Sequence, residues 1–274
     1  MNPQTPIALT SAGSDSSGGA GIQADLKTFS AFGVYGASVI SALTAQNTVG
    51  VQAVHAVPAD FVAAQMNSVF ADLTVSAIKT GMLVSTAIIE AVVGRLQAVP
   101  HVSVVVDPVM VATSGDTLLD PSAIDAVRQR LIPRAMLVTP NLPEVARLLG
   151  CKVATSEQQM AEQANALLAL GAKAVLVKVG HGSGADSVDV LSSATGVIRF
   201  ARPRVATSAT HGTGCTLSSA IAALLALGVS LEDAIDRAKT YVWLAIQAGR
   251  DLKIGAGNGP VDHLFAIKRC PPGF

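Results

Sequence analysis

Residues 207–220 of this sequence read TSATHGTGCTLSSA, and residues 221–227 continue as IAALLAL. Small polar residues lead through Gly212 and Gly214 into an apolar run that predicts a buried helix. Glycines let the backbone approach a bound group closely, and the N–H groups at a helix start attract anions such as phosphate. Cys215 falls in the first helical turn, where we expect the pKa of its thiol to be lowered. Taken alone, an ordinary helix start with a buried cysteine is an equally good interpretation.

The composition predicts one large domain. The chain has 274 residues, of which 50% are hydrophobic and 14% are charged. No repeat, linker or charged block divides it, so we predict a single domain over residues 1–274. Lys plus Arg equals Asp plus Glu at 19 each. A net charge of zero argues against a partner among nucleic acids or anionic membranes.

The cysteines and the apolar stretches predict a cytoplasmic location. Cys151, Cys215 and Cys270 are far apart and form no C-x-x-C pair. A disulfide framework or zinc site is therefore not expected, and a reducing compartment fits better. We also expect no signal peptide at the start of the chain and no membrane span.

Apolar, β-branched runs alternate with helical patterns along most of the chain. Runs of the first kind are typical of strands buried on both faces of a parallel sheet. We predict strands at Ile7–Thr10, Ala37–Leu43, Ala77–Thr80, Val102–Val106, Met136–Thr139 and Ala174–Val179, then an antiparallel edge of Val188–Leu191 and Val197–Phe200. Predicted helices are Ile22–Ala31, Ala59–Val69, Thr86–Ala98, Ser122–Leu131, Pro143–Leu149, Glu157–Leu170, Cys215–Leu227 and Leu231–Ala248. The order predicts an α/β fold with helices on both faces of a mostly parallel sheet.

Residues suited to a binding site follow six consecutive predicted strands. Ligands of open α/β sheets bind outside the carboxyl ends of the strands. We therefore predict a small-molecule site formed by residues 13–21, 44–48, 81–82, 107–109, 140–144 and 178–181.

Two common nucleotide motifs are absent from the sequence. No Gly-Lys dipeptide occurs, which excludes a P-loop, and no Gly-x-Gly pair has a third glycine three residues further on. The second absence argues against a dinucleotide fold of the oxidoreductase type.

Three charged residues indicate phosphoryl transfer when they are combined with the helix start. Asp107 and Glu144 follow neighbouring predicted strands and could supply oxygen ligands to Mg²⁺. Lys178 closes an apolar strand, where it could face phosphates. Each has an ordinary alternative: a turn aspartate, a helix-capping glutamate and an edge lysine with a buried stem. Together they suggest transfer of a phosphoryl group, with Cys215 placed to accept a proton from the attacking hydroxyl. His181 and His211 flank glycines and are more typical of a structural role.

The motifs also resemble one family in order along nearly the whole chain. These are AGSDSSGGAGIQADLKT at residues 12–28, TAQNT at 44–48, KTGM at 79–82, DPVM at 107–110, TPNLPE at 139–144 and HGTGCT at 211–216. They closely resemble the hydroxymethylpyrimidine/phosphomethylpyrimidine kinases of thiamine biosynthesis. The resemblance implies a ribokinase-like three-layer sandwich, assembled as a homodimer.

The resemblance also implies roles for individual residues. The pyrimidine pocket would comprise Gln46, Asp25, Met82, Gly13 and Val109. The anion hole would be formed by Gly212, Thr213 and Gly214, with Cys215 as the base. ATP would contact Lys178, Asn141, Gly212 and Thr213, and Mg²⁺ would be held by Asp107 and Glu144. Residues 110–116 would form a lid.

Two positions depart from the family pattern. Val179 replaces a glycine after the strand lysine, and Ala209 replaces an asparagine before the Thr-His-Gly sequence. Both changes concern the nucleotide side of the site.

Three other functions stay open. The nearest alternative is a pyridoxal or pyridoxine kinase of the same fold. The others are a pyrimidine-binding regulator without catalysis and a nicotinamide-dependent oxidoreductase.

Overall fold

A nine-stranded sheet organises the computed structural model, which describes residues 5–112, 115–179 and 184–267. The strand order is β3-β2-β1-β4-β5-β6-β7-β8-β9, and β2, β1, β4, β5, β6 and β7 run parallel. The remaining three strands are antiparallel to their neighbours. The strands are β1 Ile7–Asp15, β2 Tyr35–Gln46, β3 Val51–Ala56, β4 Ala77–Thr80, β5 Ser103–Val106, β6 Leu137–Val138, β7 Ala174–Lys178, β8 Asp186–Ser193 and β9 Gly196–Pro203.

Helices cover both faces of the sheet. They are α1 Gly21–Ala31, α2 Ala59–Asp72, α3 Thr86–Leu96, α4 Ile124–Ala126, α5 Leu142–Leu149, α6 Glu157–Leu168, α7 Thr213–Ala226 and α8 Leu231–Gly249. One buried core joins the sheet to α2, α3, α5 and α6. A second core joins the other face to α1, α7 and α8. The predicted three-layer α/β sandwich is confirmed, including its antiparallel edge of β8 and β9.

Two elements differ from the sequence-based expectation. Strand β3 was not predicted, because five of its six residues are exposed and it shows no apolar run. Ser122–Leu131 was predicted as a regular helix and is not one. Residues 121–134 form successive 3₁₀, α, π and 3₁₀ turns. Pro133 explains the irregularity, because proline lacks an N–H and its ring clashes with the carbonyl four residues earlier.

The helices of the described residues include none that is long and apolar enough to cross a membrane. The carboxyl ends of the parallel strands meet at one edge of the sheet, and the amino end of α7 lies against this edge. Side chains that follow distant strands are thereby brought to one place, as expected for an open α/β sheet.

Candidate active site

A cavity of about 950 Å³ opens at the carboxyl edge of the sheet. Of the residues to which the family resemblance gives individual roles, all but Asp25 line it. These are Gly13, Gln46, Met82, Asp107, Val109, Asn141, Glu144, Lys178, Gly212, Thr213, Gly214 and Cys215. The strand-end prediction therefore placed the cavity correctly.

The start of α7 forms a cradle with a fixed backbone. Gly212 is the residue before the helix and has φ 80°, in the left-handed region that favours glycine. A Cβ on Gly212 would lie 1.9 Å from the carbonyl oxygen of Gly19, so no other residue fits there. Thr216 holds the turn closed by donating from its N–H and its hydroxyl to the Gly212 carbonyl, at 2.8 and 2.7 Å. The N–H groups of the first turn consequently face the cavity edge as a preformed anion site.

Asp15 and His211 tie two glycine-rich loops together. His211 Nε2 lies 2.8 Å from Asp15 Oδ2, and both side chains are buried. The same oxygen accepts hydrogen bonds from the N–H groups of Gly19 and Ala20. Burial alone would raise the pKa of Asp15, but the hydrogen bonds from His211, Ser17 and Ala20 outweigh it and lower the pKa to about 2. His211 therefore joins the start of α7 to the loop between β1 and α1.

Lys178 and Asp107 form a buried ion pair beside the cradle. Lys178 Nζ lies 2.9 Å from Asp107 Oδ1, and a Cβ on Gly214 would be 3.4 Å from the same ammonium. Burial would lower the pKa of Lys178, but the charges of Asp107 and Glu144 outweigh it and raise the pKa above its usual value. Lys178 thus remains charged next to the first turn of α7.

Glu144 lies in the same wall and caps helix α5. Its carboxylate accepts from the Asn141 N–H at 2.8 Å, while Asn141 Oδ1 accepts from the Glu144 N–H at 2.9 Å. This capping box fixes both side chains at the cavity edge. Burial raises the pKa of Glu144; the charge of Lys178 opposes this rise and that of Asp107 adds to it. Glu144 therefore caps α5 from the wall of the cavity, and its predicted role as a magnesium ligand stays a prediction.

The carboxylates of Asp107 and Glu144 suit a magnesium ion that also binds phosphate. Both line the cavity, and Mg²⁺ usually takes one or two protein carboxylates together with waters and substrate phosphates. Within the described ranges, no group of three or more His, Cys, Asp or Glu side chains is placed to hold a metal by itself. The two carboxylates thus fit a magnesium ion whose coordination is completed by the oxygens of a bound nucleotide.

Cys215 lies in the first turn of α7 as predicted, but the expected lowering of its pKa is wrong. Burial raises the pKa of the thiol to about 11, although the charge of Lys79 and a hydrogen bond from the Gly21 N–H act in the opposite direction. The position of the residue could be predicted from the sequence. Its desolvation could not, because the groups that act on it belong to α1, β4 and the end of β5, which are distant in the sequence.

Asp25 lies behind the residues that line the cavity, and its predicted place in the pyrimidine pocket stays a prediction. Its carboxylate is fully buried in the second layer and is 2.9 and 3.0 Å from Lys79 Nζ. Thr10 and Ser219 donate hydrogen bonds to it as well, at 2.6 and 2.5 Å. All its hydrogen-bonding capacity is directed at the protein, so Lys79 rather than Asp25 reaches the cavity wall.

The end of the cavity near β1 and β2 contains the other predicted pocket residues. Gln46 is the last residue of β2. Its Oε1 accepts a hydrogen bond from the Thr44 hydroxyl at 3.0 Å, which orients the side-chain amide. Met82 Sδ lies 3.0 Å from the position of a Cβ on Gly13, so a larger residue at position 13 would displace the methionine. An amide beside apolar walls suits a flat ring that both donates and accepts hydrogen bonds.

The opposite end is lined by β8, β9 and α8, which sequence reasoning did not assign to the site. Lys239 Nζ and Asp189 Oδ2 form a buried ion pair there at 2.6 Å. Asp189 Oδ1 also accepts from the Val179 N–H at 3.3 Å. Val179 does not have the positive φ that a glycine could adopt. Residues 180–183, which include the predicted site residues Gly180 and His181, lie outside the described residues.

A segment close to the carboxyl end of the chain supports the cradle from outside and was also missed. The His211 N–H donates to the Gly259 carbonyl at 3.0 Å, and the Thr216 hydroxyl lies 3.0 Å from His263 Nε2. The Gly-x-Gly pairs at 255–259 are the sequence feature that could have indicated this supporting segment. On their own they match only part of a dinucleotide-binding motif.

The described part of the predicted lid is a small hairpin. Val111 and Thr117 form a β-bridge, and the Ala112 N–H donates to the Asp116 carbonyl at 2.8 Å. Met110 is buried in the core, so any moving part begins after it. Residues 113 and 114 lie outside the described ranges, and the lid remains a prediction.

Comparison with known proteins gives consistent matches over nearly the whole chain. The sequence pattern of a family described as phosphomethylpyrimidine kinase matches residues 15–262. A hydroxymethylpyrimidine/phosphomethylpyrimidine kinase from Salmonella typhimurium is 54% identical over 259 residues, covering 94% of this chain and 97% of that protein.

Two solved structures resemble the fold closely. The pyridoxal kinase of Bacillus subtilis in complex with ADP has a TM-score of 0.88 at 36% identity, covering 96% of this chain and 99% of that one. The phosphomethylpyrimidine kinase of Clostridium difficile 630 has a TM-score of 0.78 at 44% identity, with coverages of 88% and 99%. The predicted ribokinase-like α/β fold is confirmed by these neighbours.

Proposed function

Because this chain belongs to the phosphomethylpyrimidine kinase family, we propose that it phosphorylates 4-amino-5-hydroxymethyl-2-methylpyrimidine with ATP and then converts the monophosphate to the diphosphate, in thiamine biosynthesis. The observation that carries the proposal is the first turn of α7. Its N–H groups, a buried lysine and a cysteine line the same cavity as the amide of Gln46. An anion cradle and a base candidate within reach of a ring-binding amide are the parts that such a kinase needs.

The pyrimidine would bind between β1 and β2, with its hydroxymethyl group directed toward α7. Gln46 would hydrogen-bond the aminopyrimidine edge, and Met82, Gly13 and Val109 would form the apolar wall around the ring. In this pose the hydroxyl oxygen would lie on the Cys215 side of the cavity. Positioning of this kind accounts for a large share of the rate enhancement in phosphoryl transfer.

The phosphates of ATP would lie along Lys178, Asn141 and the α7 cradle formed by Gly212 and Thr213. Lys178 stays positively charged there and would offset the negative charge of the transferring group. Asp107 and Glu144 would hold Mg²⁺, which in bound form neutralises phosphate charge. The base and ribose would extend toward β8, β9 and α8, where the cavity continues.

Cys215 would take the proton of the attacking hydroxyl. The hydroxyl oxygen forms a bond to the γ-phosphorus while the bond from that phosphorus to the departing ADP oxygen breaks. The hydroxyl proton passes to the sulfur of Cys215. Only the thiolate can accept it, and the raised pKa makes the thiolate the minor form at neutral pH. The rate should therefore increase with pH as Cys215 ionises.

A pyridoxal kinase is the alternative that a specific observation favours. The Bacillus subtilis pyridoxal kinase has a higher TM-score than the phosphomethylpyrimidine kinase structure, although its sequence identity is lower. Pyridoxal also carries a ring hydroxymethyl group that the same cradle could serve. We therefore treat it as a competing substrate of the same cavity.

We further propose that the protein is a cytoplasmic homodimer that binds neither nucleic acid nor membranes. The zero net charge and the scattered cysteines support the location and the absence of such partners. The exposed apolar side chains around β3, such as Leu43 and Val54, support a contact with a second copy. Sedimentation equilibrium should give twice the chain mass, and the chain mass alone would reject the dimer.

The function is tested by measuring turnover of both substrates by the same preparation. ATP consumption is followed with the hydroxymethylpyrimidine and with pyridoxal over a range of concentrations, in the presence of Mg²⁺. We expect kcat/KM to be at least about tenfold higher for the pyrimidine, which corresponds to about 1.4 kcal/mol of differential transition-state binding. A preference for pyridoxal would move the protein to the alternative, and binding without ATP consumption would indicate a regulator.

A further inference from the structure

Helix α7 is attached to the sheet by two adjacent serines that make parallel contacts. The Ser218 hydroxyl donates to Asp107, at 3.3 Å from Oδ2, and Asp107 binds Lys178. The Ser219 hydroxyl donates to Asp25, which binds Lys79. Ser218 and Ser219 lie one helical turn after Gly214 and Cys215. Two lysine–aspartate pairs therefore lie beneath the cradle, and only the Lys178 pair has been assigned a role so far.

Lys79 is an unusual residue for a core strand. It lies in β4, its side chain is fully buried, and its ammonium contacts both oxygens of Asp25. An ion pair that is entirely removed from water adds little to stability compared with well-packed apolar residues. Burial would lower the pKa of Lys79, but the charge of Asp25 outweighs it, and the pKa is raised above its usual value. A permanent positive charge is thus held at the floor of the cavity.

Four charged groups from four different elements act electrostatically on the Cys215 thiol. Lys79 in β4 and Lys178 in β7 are cations, while Asp25 in α1 and Asp107 after β5 are anions. The charge of Lys79 favours the thiolate, and the charges of the two aspartates oppose it. Lys79 and Cys215 both line the cavity, and Ser219, one helical turn after Cys215, donates to the Asp25 carboxylate that binds Lys79. The Lys79–Asp25 pair therefore lies next to the turn of α7 that carries the sulfur, whereas Lys178 lies beside Gly214.

We propose that Lys79, held by Asp25, is a positioning residue whose positive charge in the cavity wall favours ionisation of Cys215 to the thiolate that accepts the substrate proton. The effect on catalysis rests on the proposed function, whereas the effect on the thiol does not. Asp25 fixes the ammonium in place through contacts that Thr10 and Ser219 anchor to β1 and α7. The buried pair thereby serves the chemistry of the neighbouring sulfur.

The test measures the ionisation of Cys215 without substrate or ATP. In a chain with Cys151→Ser and Cys270→Ser, the rate of alkylation by iodoacetamide is recorded against pH. Lys79→Met should shift the profile to higher pH and reduce the alkylation rate at pH 8 by about tenfold or more, corresponding to about one pKa unit. Asp25→Asn should shift the profile to lower pH, because an opposing negative charge is removed. Lys79→Arg should restore most of the wild-type profile.

Opposite shifts distinguish the proposal from a purely structural role. Both substitutions break the same buried pair, so general loosening of the site would move the two profiles in the same direction. Shifts in the same direction, or no shift with Lys79→Met, would overturn the proposal. Lys239→Met breaks a comparable buried pair elsewhere in the cavity and should leave the profile unchanged; a shift like that of Lys79→Met would also contradict it.

A neutral double variant keeps the test valid where a single variant fails to fold. Lys79→Met combined with Asp25→Leu removes both charges and packs the space with apolar atoms, which buried ion pairs usually tolerate. Because Lys79 influences the thiol more than Asp25 does, the double variant should still ionise at higher pH than the wild type. A wild-type profile would reject the coupling. Loss of kinase activity with an unshifted profile would leave the proposed function intact and reject this inference alone.

Discussion

Cys215 illustrates how a local rule and burial act against each other at one residue. The sequence shows a cysteine in the first turn of a helix, and this position favours the thiolate. The structure raises the pKa of the thiol because the desolvation of the sulfur outweighs both the charge of Lys79 and the hydrogen bond from the Gly21 N–H. The residue could be located from the sequence, but its acidity depends on segments that lie far away along the chain.

We predict that Cys215→Ala lowers kcat by about 100-fold or more, the usual range for loss of a positioned general base. It should also abolish the increase of the rate with pH. Pyrimidine affinity should change little, because the ring is bound at the Gln46 end. The measurement is steady-state kinetics between pH 6 and 10 together with calorimetric binding.

Cys151→Ser is the matched control for this prediction, since Cys151 is exposed and remote from the cavity. It should leave kcat and its pH dependence unchanged. An unaltered kcat in Cys215→Ala would rule out the base role while leaving the cradle and its location unaffected.

The side-chain contacts of Asp25 could not be inferred from the family resemblance. Its carboxylate binds Lys79 and accepts hydrogen bonds from Thr10 and Ser219, and it is not among the groups that line the cavity. Asp25 and Lys79 are 54 positions apart, and the sequence around each of them does not indicate that they form an ion pair. Side-chain direction depends on the packing of α1 against the sheet, which no single segment encodes.

At the scale of elements, the effect of the glycine cradle can be isolated by comparing Gly212 with Gly228, a glycine of similar φ outside the cradle. Gly212 and Gly228 have φ 80° and 78°, so a side chain costs a similar backbone strain at both. A Cβ on Gly212 would meet the Gly19 carbonyl oxygen at 1.9 Å, whereas a Cβ on Gly228 has no heavy atom within 4 Å. Any difference between the two alanine variants therefore reports the contact between the cradle and the β1–α1 loop.

We predict that Gly228→Ala lowers the free energy of unfolding by about 1 to 2 kcal/mol and keeps wild-type kcat. Gly212→Ala should reduce kcat by about 100-fold, because the cradle N–H groups are displaced. Urea unfolding and kinetics on both variants provide the check. Equal kcat values in the two variants would mean that the cradle does not contribute to catalysis.

The segment that supports the cradle predicts a dependence of stability on pH. Burial, and to a lesser degree the charge of Lys27, lower the pKa of His263 to about 4 from its usual 6.5. The unfolded chain therefore binds a proton at higher pH than the folded protein does. The stabilisation is complete above pH 6.5, is lost as the pH falls toward 4, and amounts to about 3 kcal/mol.

Accordingly, His263→Gln should remove most of the loss of unfolding free energy between pH 6.5 and 4, as measured by urea titrations at several pH values. His55→Gln provides the control, because His55 is exposed on β3 and should leave the pH dependence unchanged. If both variants show the wild-type pH dependence, His263 does not couple proton binding to folding.

For the whole molecule, the convergence of strand ends was the most predictable feature. Parallel strands read as continuous apolar runs, and their carboxyl ends must share one edge of the sheet. This geometry brought residues from Gly13 to Cys215 into one cavity. The wall formed by β8, β9 and α8 was not foreseen, because pairs such as Asp189 and Lys239 are joined only by the final packing of α8.

The central claim is that this one cavity carries out two successive phosphoryl transfers on a pyrimidine. Its most direct test is a time course of phosphorus NMR spectra with the hydroxymethylpyrimidine, ATP, Mg²⁺ and the wild-type chain. The account predicts that a monophosphate ester appears first and is then converted to a diphosphate, with two ATP consumed for each pyrimidine. Consumption of ATP without either product, or no consumption at all, would contradict it.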